Sequence, residues 1–240
     1  MRYELYYWPG IPGRGEFVRL ALEEAGADYV DVGNDDAAGG VAAVQALLDA
    51  ADVQRPPFAP PFLKAGNVVV AQVANILQFL GPRLKLVARD PAAALWTQQL
   101  QLTIADAVAE AHDVHHPVGL GEYYEHQKPE ARRRAKEFRG ERMPKFLGYF
   151  ERVLAANPKG PKYLVGARLS YADLSLFQLI AGLRHAFPAA MRRLEPGLPH
   201  CRALAVHVSE RPNVAAYLAS DRCLPFGEEG IFRHYPELDD

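Results

Sequence analysis

Two adjacent tyrosines, Tyr6 and Tyr7, precede the run Trp8-Pro9-Gly10-Ile11-Pro12-Gly13 and then Arg14. These are the residues of the N-terminal third best placed to do chemistry. A protonated phenol can donate a hydrogen bond to a forming anion, and here few other side chains can. No Ser and no Cys occurs before Ser170, and the only threonines in the chain are Thr97 and Thr103. Serine- or cysteine-nucleophile chemistry and CxxC redox chemistry therefore have no nucleophile there. Side chains alternate across a strand, so only one tyrosine of the pair can face a given cleft. Either is also an ordinary β-favouring core aromatic.

The elements that must position the pair follow from the pattern. Residues 2–8 are aromatic-rich and predict a strand, ended by the Pro/Gly cluster. From Arg14 the apolar spacing of Phe17, Leu20 and Ala21 becomes helical and runs to the break at Gly26. A strand feeding a helix through a tight turn aims backbone N–H groups at an anion. A further strand is expected over 28–32, a short helix over 42–51, and a hairpin of 62–64 and 68–70 about Gly66-Asn67. A helix over 72–80 closes this region. Gly81-Pro82 opens a linker to Asp90, which with Pro91 reads as an N-cap followed by proline at the first helical position. Thereafter helices are predicted over 92–112, 129–156, 170–185, 198–209 and 214–219. The division is 1–81 (α/β), 82–90 (linker) and 91–240 (all-α).

Composition narrows the function classes. The net charge of −2 over 240 residues gives no basis for a nucleic-acid or membrane surface. No apolar run reaches membrane-spanning length and the N-terminus does not read as a signal peptide, so a cytoplasmic protein is expected. Cys201 and Cys223 are too few for a disulfide framework. Arg132, Arg133, Arg134 and Lys136 read as a solvated helix face. His112, His115 and His116 share a helix face by their i, i+3, i+4 spacing. No carboxylate or cysteine completes a ligand set with them, and no metal is expected.

The motifs resemble those of the cytosolic glutathione transferases of the tyrosine type, nearest to the mu, pi and sigma classes. The resemblance covers nearly the whole chain. It rests on Tyr7-Trp8-Pro9, Arg14, Pro61 before the Gly66 hairpin, Gln72-Val73-Ala74-Asn75-Ile76, Leu164-Val165-Gly166 and Leu169-Ser170-Tyr171-Ala172-Asp173. The last segment carries a capping box in which Ser170 and Asp173 satisfy each other's backbone N–H groups. The resemblance implies a thioredoxin-like N-terminal domain, an all-helical C-terminal domain with the electrophile pocket, glutathione as co-substrate and a homodimer.

It also implies roles for individual residues. Tyr7 is the donor to the glutathione thiolate. Arg14, Arg55, Pro60, Pro61, Gln72 and Val73 bind glutathione, and Asp106 reaches the γ-glutamyl ammonium in the other subunit's site. The electrophile pocket is lined by the first turn after the strand and the middle of the first long helix, with Trp8, Ile11, Pro12, His116 and Tyr123 as its candidates. Two departures from the family pattern stand out. Pro60 precedes the family's cis-proline position and has no N–H for the cysteinyl part of glutathione. Val73 stands where a serine usually binds the γ-glutamyl carboxylate.

The expected function is conjugation of glutathione to small hydrophobic electrophiles, or a related glutathione-dependent isomerisation, in a detoxifying role. The alternative is a non-catalytic relative that binds apolar ligands or a protein partner, consistent with Pro60, Val73 and the lack of a clear basic clamp. Phe58 is either inserted into a partner subunit or folded on its own core. The tail of residues 225–240 either covers the pocket or docks on the helices.

Overall fold

The computed structural model describes residues 1–50 and 54–240. Strand β1 (Tyr3–Tyr6), helix α1 (Gly15–Glu24) and strand β2 (Tyr29–Asp31) form a parallel crossover unit. After α2 (Gly40–Leu48), β3 (Phe62–Ala65) and β4 (Val68–Ala71) make an antiparallel hairpin, and α3 (Val73–Leu84) follows. Gly66 at φ 61° supplies the left-handed turn residue between the hairpin strands. Sheet order is β2-β1-β3-β4, with Tyr6 of β1 opposite Phe62 of β3.

Alternation divides the side chains of β1 between two cores. Tyr3 and Leu5 pack with Val18 and Leu22 of α1 and Ile76 and Leu80 of α3. Tyr6 faces the other way, with Phe62, Val32 and Val44 of α2. The result is a thioredoxin-like sheet between helices.

The rest of the described chain is helical: α4 (Pro91–Asp113), α5 (Lys128–Glu137), α6 (Met143–Ala156), α7 (Tyr171–Ala186), α8 (Pro188–Leu194), α9 (Pro199–Ser209), α10 (Pro212–Leu218) and α11 (Pro236–Asp239). Asp90 caps α4 by accepting from the Ala93 N–H at 2.8 Å. Helix α7 is buried along most of its length and packs on α4, α9 and α1. One apolar core joins the halves, running from Phe17 and Leu20 of α1 through Leu77 of α3 into Leu100, Ile104 and the α7 face.

The structure departs from the sequence expectation in three places. Helix α3 continues to Leu84 through Pro82 instead of yielding to a linker at 82. Pro82 removes only the bond to the carbonyl of Gln78, whose residue is exposed, so the lost partner is replaceable by water. The helix expected over 129–156 is divided by a π-helical turn, Phe138–Arg142. Pro144 has no N–H for the carbonyl of Gly140, and the widened turn absorbs the mismatch. The helix expected over 42–51 is α2, starting at Gly40 and ending at Leu48; residue 51 lies outside the described residues. The short helices α8 and α11 had no strong periodic signal.

The tail docks on the helices. Phe232 fills the space at Gly182, where an added Cβ would lie 2.3 Å from its ring. Tyr235 stacks on Tyr124 at 3.8 Å between centroids. Asp239 accepts from the Ala189 and Ala190 N–H groups at 2.6 and 3.0 Å.

Candidate active site

Tyr7 follows the last residue of β1, and alternation turns it to the α1 side, opposite to Tyr6. Its hydroxyl oxygen accepts the Arg14 N–H at 2.8 Å. Arg14 is the N-cap of α1 and offers no side-chain cap of its own, so the phenol occupies the start of that helix. The loop allows this because Gly13 sits at φ 44° and an added Cβ would lie 2.2 Å from the hydroxyl. The bond uses a lone pair and leaves the phenolic proton free to be donated. Burial pushes the Tyr7 phenol above its usual range, while the Arg14 N–H and the charges of Arg14 and Arg19 pull the other way. The phenol is therefore neutral near pH 7, as a donor must be.

Beneath it lies an ionic cluster that sequence reasoning missed. Arg19 is fully buried; it donates to Asp31 at 2.6 Å, to the Pro12 carbonyl at 3.0 Å and to Glu16 at 3.2 Å. Tyr217 of α10 donates to Glu16 at 2.8 Å. Burial opposes the charge on Arg19, but Asp31 and Glu16 more than offset it and hold the guanidinium above its usual range. Burial raises the Glu16 carboxyl despite Arg19. By gripping the Pro12 carbonyl the cluster fixes the loop that carries Gly13 and Arg14. A charged face at i, i+3 in α1 was the available signal, but its partners Asp31 and Tyr217 are not adjacent in sequence.

A cleft of about 650 Å³ opens beside this loop, between the start of α3 and the middle of α4. Of the residues expected to bind glutathione, Arg14, Pro60, Pro61, Gln72 and Val73 line it together. The Pro60–Pro61 peptide is cis. Gln72 caps α3 at φ 68° and ψ 121°, a conformation rare for a residue with a side chain and typical of functional positions. The α4 wall supplies Leu102, Ile104, Ala105, Val108 and Gln101, residues the sequence did not single out. Gln101 is buried, and its side-chain oxygen has no partner among the described residues. Phe58 also lines the cleft and is 93% exposed, so it is not folded onto its own core.

Other expected site residues lie elsewhere. Tyr7 itself is 5% exposed and sits behind the cleft wall, reaching it through Arg14. Trp8 is one residue past Tyr7, so alternation returns it to the Tyr6–Phe62 cluster on the α2 face. Arg55 is exposed and off the cleft wall; Asp106 is exposed on α4, next to the lining residue Ala105. Ile11 is half-buried and Pro12 buried, its carbonyl held by Arg19. Tyr123 is 73% exposed and stands edge-on to His126. None of these lines the cleft. Ser170 and Asp173 form the capping box of α7, away from it.

His116 belongs to a separate cluster at the end of α4. Ring nitrogens of His112, His115 and His116 lie within 4.8 Å of one another. His115 Nε2 is 2.8 Å from the Ile231 carbonyl oxygen, and its Nδ1 is 2.5 Å from His116 Nδ1. Burial lowers His112 to about 4 and His115 to about 3, helped by the nearby positive charges of Arg14 and Arg233. Both rings are neutral at ordinary pH. The tail closes on this corner, with Gly230 4.0 Å from Gly13 at the projected Cβ position.

The chain is similar to known proteins over most of its length. Residues 112–221 match the family model described as glutathione S-transferase, C-terminal domain. A glutathione S-transferase of Plasmodium falciparum is 24% identical over 221 residues, covering 90% of this chain and 94% of that protein. Glutathione S-transferase P 1 of Xenopus laevis is 26% identical, covering 91% and 92%. Among solved structures, the Pi-class glutathione S-transferase of Onchocerca volvulus superposes with a TM-score of 0.70 at 19% identity, covering 90% of this chain and 92% of that one. That likeness speaks for the fold. Among the described residues no helix is long and apolar enough to cross a membrane.

Proposed function

We propose that this chain belongs to the glutathione S-transferase family and joins the thiolate of glutathione to small hydrophobic electrophiles, with the Tyr7 phenol as hydrogen-bond donor to sulfur. Residues 1–81 supply the glutathione half of the site and residues 91–240 the electrophile half. The observation that carries the reading is the bond from the Arg14 N–H to the Tyr7 hydroxyl, which aligns a neutral phenol with a free proton at a helix start. A thiol has a pKa of about 8.5, and lowering it by about two units requires about 2.7 kcal/mol of preference for the thiolate. A hydrogen bond to a charged group contributes about 1.5–3 kcal/mol, so one phenol supplies most of what is needed. The lone pair on the thiolate then forms the bond to the electrophile, and the electrophile's leaving group departs or its π electrons take up a proton.

Arg14, Gln72 and the Val73 N–H at the start of α3 are the groups available for the carboxylates and polar ends of glutathione. The Pro60 carbonyl can accept from its cysteinyl N–H. A tyrosine-type, mu/pi/sigma-like cytoplasmic enzyme acting as a homodimer in detoxification fits this arrangement. Asp106 on the exposed face of α4, next to the cleft, supports a contribution across a dimer.

One observation favours the second reading, a non-catalytic binder of apolar ligands or of a protein: Tyr7 lies behind the cleft wall, while the cleft presents chiefly apolar side chains from α4. Titration of glutathione by thiolate absorbance across pH separates the two. Saturable binding with a thiol pKa below about 7, lost in Tyr7→Phe, supports the transferase. No binding at millimolar glutathione refutes it and leaves the binder.

A further inference from the structure

We propose that His112, His115 and His116 form a binding site for a divalent transition-metal ion, zinc being the best match, where the end of α4 meets the C-terminal tail. This reverses the sequence expectation of no metal, which rested on the want of a fourth side-chain ligand. Zinc sites with an open position need only three protein ligands, and three histidines are a sufficient set. The set contains imidazole alone, which suits zinc and its neighbours in the first transition row and does not suit magnesium or calcium.

The geometry shows three features of such a site. The ring nitrogens of all three residues already converge within 4.8 Å. His112 is in the last turn of α4, which ends at Asp113, and the chain past the helix end folds His115 and His116 back towards it. His115 is oriented by the tail. A carbonyl oxygen only accepts, so the nitrogen 2.8 Å from the Ile231 oxygen carries the proton, and in a neutral ring the lone pair is then on Nδ1. This is the outer hydrogen bond that metal-ligating histidines make, and it points the free nitrogen into the cluster. That nitrogen meets His116 Nδ1 at 2.5 Å, closer than an ordinary hydrogen bond between heavy atoms. In the His116 tautomer that carries its proton on Nε2, both nitrogens offer a lone pair to one cation.

Tetrahedral zinc with bonds of about 2.0–2.1 Å holds its ligand nitrogens about 3.3–3.4 Å apart. The His115–His116 pair must therefore open by somewhat under an ångström, and His112 must close in. His116 and His112 are only half-buried and can turn about their side-chain bonds to do so.

The charges around the cluster set the nature of the fourth ligand. Arg14 and Arg233 place positive charge near His112 and His115, while Asp113 and Glu125 place negative charge near His116. Two guanidiniums weaken the hold on a bare dication and favour an anion at its open position. A hydroxide, chloride or carboxylate is the fourth ligand that this surrounding accommodates.

The test uses the full chain, stripped with a chelator and titrated with cobalt(II), then with zinc in competition. One equivalent of cobalt with the intense visible bands of tetrahedral coordination is expected, and zinc should displace it and raise the melting temperature. His116→Gln removes a half-exposed ligand with little risk to folding and should weaken binding at least tenfold. The His112→Gln/His116→Gln double variant should abolish the bands and the zinc-induced rise in melting temperature. His126→Gln, at an exposed histidine outside the cluster, should change neither. Octahedral cobalt only, no binding below millimolar metal, or binding unchanged in the double variant would overturn the proposal.

Discussion

Helices α7 and α1 start in contact with the same interior, and their first turns are completed by different means. At α7 the cap comes from its own sequence. Asp173 accepts the Ser170 N–H, the Ser170 hydroxyl and the Leu164 N–H, each at 2.7 Å, and the carboxylate is fully buried. At α1 the N-cap residue, Arg14, offers no side-chain cap. Its N–H goes instead to Tyr7, a residue of another element, and the acceptor is a hydroxyl that keeps a proton to give. A carboxylate cap consumes donors and ends the chain of hydrogen bonds. A phenol cap passes the chain on. The first arrangement favours stability and the second leaves a hydrogen bond unmade until a ligand arrives.

The largest effect should come from removing the self-contained cap. Asp173→Ala leaves the Leu164 and Ser170 N–H groups buried without their acceptor. Each such group costs about 1–3 kcal/mol, so chemical denaturation should show a loss of about 3–5 kcal/mol. Glutathione binding by the surviving folded fraction should be unchanged. A loss under about 1 kcal/mol would mean that the α7 cap is no more than an exposed one, and the contrast with α1 would collapse.

The same carboxyl predicts a pH dependence. Burial raises Asp173 from 3.8 to about 6, against the pull of its hydrogen bonds to Leu164 and Ser170. A group with a higher pKa folded than unfolded binds its proton more tightly in the native state. Its contribution is complete below pH 3.8 and is lost as pH rises through about 6. Over that window the unfolding free energy should fall by on the order of 3 kcal/mol relative to Asp173→Asn. Glu16 at α1 is also raised by burial and shifts stability in the same direction. The difference between wild type and Asp173→Asn isolates the α7 share. A flat difference across the window would show that the hydrogen bonds fully offset burial.

At α1 the order of effects should invert, with function changing more than stability. Tyr7→Phe deletes the acceptor for the Arg14 N–H, a capping loss of about 1 kcal/mol. It also deletes the donor proposed for the thiolate, worth about 1.5–3 kcal/mol. Conjugation of a model electrophile should drop about ten- to a hundredfold in kcat/KM, with the bound thiol pKa moving back towards its free value. If Tyr7→Phe destabilises the protein as much as Asp173→Ala should, Tyr7 is chiefly a cap.

The two helix starts also differ in how visible they are in the chain. The α7 cap is legible because Ser170 and Asp173 are three residues apart and their mutual bonds are local. Asp90-Pro91 at α4 and Gly66-Asn67 in the hairpin are legible for the same reason. Tyr7 could be separated from Tyr6 by alternation alone, but not located behind the cleft wall, since that depends on how Gly13 lets the loop close on the ring. Trp8 was expected in the electrophile pocket, yet the same alternation sends it to the Tyr6 face. The Arg19–Asp31–Glu16–Tyr217 cluster was invisible because its members come from α1, β2 and α10. The middle of α4 was expected to line the pocket, but not which of its side chains do so, since Leu102, about half exposed, and Ala105, partly so, sit in an ordinary apolar helix pattern. Gln72 was found through its resemblance to the family motif; its positive φ is a property of the folded chain.

A third helix start, that of α3, offers a way to build the missing half of the comparison. Gln72 caps it without a side-chain bond, and Val73, lining the cleft, brings an N–H but no hydroxyl. Val73→Ser adds one donor at the position where the resemblance expects a serine, at an end of the helix whose dipole already favours an anion. Val73 is half-exposed, so the lost apolar burial is small. If the cleft takes the γ-glutamyl carboxylate there, the new bond to a charged group should tighten glutathione about tenfold by calorimetry. Stability should change by less than about 0.5 kcal/mol, and the thiol pKa set by Tyr7 should stay where it was. A gain in affinity with an unchanged thiol pKa would separate the anchoring of the ligand at α3 from the activation of its sulfur at α1. No gain would mean that the carboxylate does not reach α3, and the assignment of the cleft's polar end would have to move towards Arg14.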